Sequence, residues 1–61
     1  MSDIEQLQII LKAIAKTNLR FNATVIGNED DYEIFVSYEE VVAEDSNGME
    51  VLSVSKEDED Y

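Results

Sequence analysis

The residues here that could do chemistry are carboxylates, serines and lysines, with no His and no Cys among them. Two carboxylates can act as a general acid and base only where a cleft pushes their pKa values apart. The usual general base and thiol nucleophile are missing, and so are the common ligands of structural zinc. Ser37, Ser46, Ser53 and Ser55 have no evident activating base nearby in sequence. Lys12 and Lys16 lie one helical turn apart and read as charges at a helix end. One stretch invites a calcium reading, with Asp45, Asn47 and Gly48 at positions three, five and six of an EF-hand loop. Positions one and twelve would then be Ala43 and Val54, which cannot ligate, so Asp-Ser-Asn-Gly reads as turn chemistry. The expectation is a protein that is not an enzyme and carries no metal and no cofactor.

What the carboxylates offer instead is a field. Fifteen acids face four bases, for a net charge of −11. Asp3 and Glu5 against Lys12, Lys16 and Arg20 leave the first twenty residues at +1; thirteen acids against Lys56 alone leave the rest at −12. Such a chain repels nucleic acid and anionic membrane and attracts basic surfaces. No direct nucleic-acid binding and no membrane association are therefore expected. The apolar stretch 9–15 is interrupted by Lys12, and no signal peptide or membrane span is read. These features lead to the expectation of a cytoplasmic protein (host cytoplasm if phage-encoded).

Sixty-one residues allow one small domain with a thin core, and no disulfide can support it. Residues 2–17 read as an amphipathic helix: Ser2 and Glu5 form a capping box, Ile4, Leu7, Leu11 and Ile14 fall on one stripe, and Asn18 follows as a left-handed cap. Residues 19–26 alternate as a strand, 27–31 form a turn, and 32–42 read as a second strand disturbed near Glu40. Asn47-Gly48 is a hairpin signal, and 49–55 form a third strand. The fold class expected is α+β: an N-terminal amphipathic helix packed on a three-stranded antiparallel meander (αβββ), spanning 1–55, with a flexible acidic C-terminal tail, 56–61.

The helix can cover one sheet face only. Leu19, Phe21, Ala23, Val25, Tyr32, Ile34, Val36, Tyr38, Leu52 and Val54 are assigned to it. Ile26, Phe35, Met49 and Val51 fall on the opposite face among Glu33, Glu39 and Glu50, which describes an interface. Alternate strand residues stand about 6.6 Å apart, close to the phosphate spacing of one DNA strand. Glu33, Ser37 and Glu39 along a strand would imitate such a row, extended by turn acids. The candidate partner-binding residues are Glu29, Asp30, Asp31, Glu33, Phe35, Glu39, Glu40, Glu44, Asp45, Glu50 and Val51. The end of the chain, 56–61, resembles the acidic, aromatic-tipped C-termini of bacterial and phage single-stranded-DNA-binding proteins, which implies docking in a basic pocket.

In size, acidity and lack of catalytic residues the chain is similar in kind to the small inhibitors that phages and mobile elements direct against host nucleic-acid enzymes. The function expected is a small acidic, protein-binding inhibitor, a DNA mimic that blocks a basic nucleic-acid-binding protein or enzyme, of an anti-restriction or anti-CRISPR kind. The alternative is a dimeric structural or assembly adaptor, a homodimer through the outer sheet face.

Overall fold

A computed structural model describes residues 2–56. A helix, α1 (Asp3–Ile14), is followed by four strands: β1 (Asn22–Ile26), β2 (Asp31–Val36), β3 (Glu40–Glu44) and β4 (Glu50–Ser55). The sheet is antiparallel in the order β1-β2-β3-β4, so every strand pairs with its neighbour in sequence.

The helix starts as its sequence predicts. The Ser2 hydroxyl accepts the Glu5 N–H at 3.2 Å, and the Glu5 carboxylate accepts the Ser2 N–H at 3.0 Å. The end comes earlier than 17. The Thr17 N–H and hydroxyl both bond the Ile14 carbonyl, at 2.9 and 2.7 Å, which closes the last turn. Asn18 is not a left-handed cap, because no non-glycine among the described residues has a positive φ. The buried stripe is Asp3, Leu7, Leu11 and Ala15 rather than one beginning at Ile4, which sits at the rim. Leu7 and Leu11 pack with Tyr32, Ile34, Val36, Val41 and Ala43, and the helix lies over β3 and β4.

The α+β class holds, with four strands in place of three. The segment 32–42 is two strands, because the chain reverses over Tyr38 and Glu39. Ser37 N–H donates to the Glu40 carbonyl at 3.0 Å, and the Ser37 hydroxyl accepts the Glu40 N–H at 3.3 Å. Two-residue hairpin loops usually need positive φ and announce themselves with Asn-Gly. This one has neither, and the Ser37 side chain closes it. Tyr38 therefore stands in a turn, 72% exposed, with the Arg20 guanidinium 4.0 Å over its ring. Leu19 and Phe21 are also exposed, since β1 begins only at Asn22. The Asn47-Gly48 turn does join two strands, and Gly48 takes the φ of +81° that its position demands. Of the expected tail only Lys56 is described. Its N–H donates to the Glu39 carbonyl at 2.8 Å and its Nζ to the Leu19 carbonyl at 2.6 Å, and 57–61 lie outside the described residues.

One long-range device ties the helix to the sheet. Asp3 is 4% exposed. Its carboxylate accepts the Asn28 N–H at 2.9 Å and the Glu29 N–H at 2.6 Å, and the Tyr32 hydroxyl points at it from 3.5 Å. Gly27 is required by this approach, since a Cβ there would stand 2.5 Å from Asp3 Oδ2 and 2.7 Å from the Asp30 carbonyl. The Glu29 amide, then the Asn28 amide, hold the Asp3 carboxyl below its usual pKa against the opposing effect of burial. A depressed carboxyl pKa adds stability that is complete above the unfolded value and lost as pH falls through the folded one. Asp3→Asn should therefore lower Tm by a constant amount from neutral pH down to about pH 5, with the gap closing below pH 4. Thermal melts of both proteins across that range test this; a gap unchanged at pH 3 would remove Asp3 from the account. Above pH 10 the reverse occurs at Tyr32, whose pKa is raised first by burial and then by Asp3, so its ionisation opposes the fold.

Candidate functional site

Among the described residues nothing covers the sheet face opposite the helix. Pairing places Asn22, Phe35, Val42 and Ser53 in one row across the four strands. The next row is Thr24, Glu33, Glu44 and Glu50. Three glutamates thus stand directly opposite one another on β2, β3 and β4, at the strand spacing of about 4.8 Å. Like charges in facing positions destabilise a sheet by a few tenths to about 1 kcal/mol per pair. The four bases do not lie in this row: Lys12 and Lys16 are on or just beyond the helix, Arg20 is on Tyr38, and Lys56 is at the Leu19 carbonyl. Beside the row is a shallow depression of about 260 Å3 whose lining includes Thr24, Asp31, Glu33, Glu44, Asp45 and Ser46.

The residues singled out from the sequence divide into three groups. Asp31, Glu33, Glu44 and Glu50 are brought together on the uncovered face, with Glu40 at the far end of β3. Phe35 is half-buried in the middle of that face against Val42, which sequence reasoning had not placed there. Glu29 and Glu39 lie in turns. The row expected along one strand, Glu33–Ser37–Glu39, does not form, because Ser37 and Glu39 belong to the β2–β3 turn; the acidic row runs across strands instead. Val51 leaves the group. Ala43 pairs with Leu52 and Glu44 with Glu50, so Val51 is the extra residue of a bulge, and it packs against the core.

Two of the expected docking acids serve the turns. Asp30 Oδ1 accepts the Asp31 N–H at 2.8 Å, and its Oδ2 accepts the Ser46 hydroxyl at 3.1 Å, which links the β1–β2 and β3–β4 turns. That hydroxyl, and then the Asp31 amide, hold the Asp30 pKa below its usual value. Asp45 Oδ1 accepts the Asn47 and Met49 N–H groups at 2.9 and 3.0 Å. With Asp3, three aspartates organise backbone amides, and the glutamates of the sheet remain outward-facing. The signal was in residue type: Asp is the shorter acid that closes turns on its own backbone.

Among the described residues no group of His, Cys, Asp or Glu is arranged to hold a metal ion, and no helix is long and apolar enough to cross a membrane. What the face offers is a ridge of separated carboxylates beside the Phe35–Val42 apolar patch. No protein-family model matches this chain, and no curated protein or solved structure matches it significantly.

Proposed function

We propose that this chain is an acidic protein-binding inhibitor that occupies the basic groove of a nucleic-acid-binding protein or enzyme. The Glu33–Glu44–Glu50 row is the observation that carries this reading. A sheet that sets three like charges face to face gives up stability, and local rules of this kind are broken where function requires it. The adjoining depression receives an Arg or Lys side chain, and Phe35 with Val42 supplies the apolar centre. The row is more closely spaced than phosphates are, so the mimicry is of charge density rather than of phosphate repeat. Association is steered, fast and weakened by salt. The phage or mobile-element setting, the anti-restriction or anti-CRISPR role and a cytoplasmic site of action belong to this proposal.

The test is affinity capture from nuclease-treated lysate at low salt. A basic nucleic-acid-binding protein should be retained, released by added duplex DNA, and lost with Glu44→Lys. Retention of the same protein by Glu44→Lys, or failure of DNA to release it, would reject the proposal.

A further inference from the structure

Among the described residues the outer edge of β1 is unpaired, and this strand carries a pattern that no other has. It is the one strand of the four without a charged residue, and it holds no Pro and no bulge, the usual devices against edge pairing. Its ladder phase is set by two bonds, from Val36 N–H to the Phe21 carbonyl and from Gly27 N–H to the Asp30 carbonyl, both 2.9 Å. Residues 21, 23, 25 and 27 therefore bond towards β2. Alternation turns the N–H and C=O groups of Asn22, Thr24 and Ile26 outward, along the edge of the sheet. Ile26 is 82% exposed and Phe21 is 38% exposed, so apolar side chains stand at both ends of that edge.

We propose that two copies of this chain pair antiparallel through β1, with Thr24 facing Thr24 on the two-fold axis. The uncharged, unbroken edge and the cleft beside it favour a second copy, and the local charges at its two ends set the direction of pairing. One end of β1 carries Arg20, and the other carries Glu29, Asp30 and Asp31. In the Thr24 register Arg20 of one copy lies opposite Asn28 of the other, inside that acidic turn, and the symmetry makes the contact twice. A parallel pairing would set like poles together. Shape agrees with charge. A cleft of about 190 Å3 beside the edge is lined by Asp3, Leu7, Ile10, Val25, Gly27 and Asn28, among others. Phe21 of the second copy stands opposite Gly27, at the mouth of this cleft and on its side of the sheet. Ile26 faces Asn22, and Ala23 faces Val25. The result is a continuous eight-stranded sheet in which the two glutamate rows are collinear, joined through the two Thr24 side chains.

Sedimentation equilibrium from about 5 to about 300 µM reads the association directly. Wild type should shift from monomer to dimer across that range. Thr24→Pro removes an outward donor and leaves the β1–β2 ladder intact, so it should weaken dimerisation roughly tenfold or more. Should circular dichroism show Thr24→Pro unfolded, Thr24→Lys gives the same readout. Arg20→Glu should also weaken it roughly tenfold, and adding Asn28→Arg to the same chain should restore it, because each altered residue meets the other across the axis. Phe35→Glu, on the open face, should leave it unchanged. A monomer at every concentration overturns the proposal. So does a dimer that survives Thr24→Pro and is lost with Phe35→Glu, which would place self-association on the open face.

Discussion

The triple variant Glu33→Gln, Glu44→Gln, Glu50→Gln is expected to melt higher than the wild type and to lose the binding to a basic protein proposed above. Two facing pairs of like charge are relieved, for a gain of about 1 kcal/mol and about 5 °C in Tm. The gain should shrink in high salt, where the wild-type repulsion is already screened. Binding is expected to move the other way, because the removed charges are the ones proposed to meet a basic groove. Calorimetric melts at low and high salt, run beside the capture experiment, test both halves. A variant that is less stable than wild type at low salt would show that the row is not a site of repulsion. One that is more stable and still binds would move the docking surface off this face.

Leu11→Ala is expected to have the largest effect on the fold. Leu11 is fully buried at the centre of the helix stripe, and a Leu-to-Ala change at such a site costs about 2–5 kcal/mol. A domain of this size has on the order of 3–9 kcal/mol in all. The variant should melt at least about 10 °C lower and populate unfolded chain at room temperature. Urea titration followed by circular dichroism gives the difference. Ile9→Ala, at an exposed position of the same helix, should change little.

Periodicity reveals the helix because its cap residues and its apolar stripe agree with each other. The β3–β4 hairpin is equally plain, since Asn47-Gly48 can hardly do anything else between two extended runs. The β2–β3 turn is hidden because Ser-Tyr-Glu-Glu carries no glycine or asparagine; the one trace is the loss of alternation at Val41 and Val42, which a turn produces as well as a bulge does. That single turn moves Tyr38 and Glu39 out of the sheet and carries Glu44 into it. The acidic face is thus legible as a charge excess but not as a row, because cross-strand partners depend on where each turn falls. Asp3 is invisible for another reason. An acid in the first turn of a helix already has an explanation in the dipole, and nothing local reveals that its carboxylate reaches a turn twenty-five residues away.

The strand order has a kinetic consequence. Each pairing in the β1-β2-β3-β4 meander closes a short loop, the smallest only two residues, so hairpins form in about 1–10 µs once their strands are free. The helix is different. It precedes the four strands, yet it beds on β3 and β4, the later two of them. α1 is therefore made before β4, and the part of its apolar face that β4 covers stays open until that strand is in place. Docking of that helix on β4 closes a longer loop than any strand pairing does, and contacts across longer loops form more slowly.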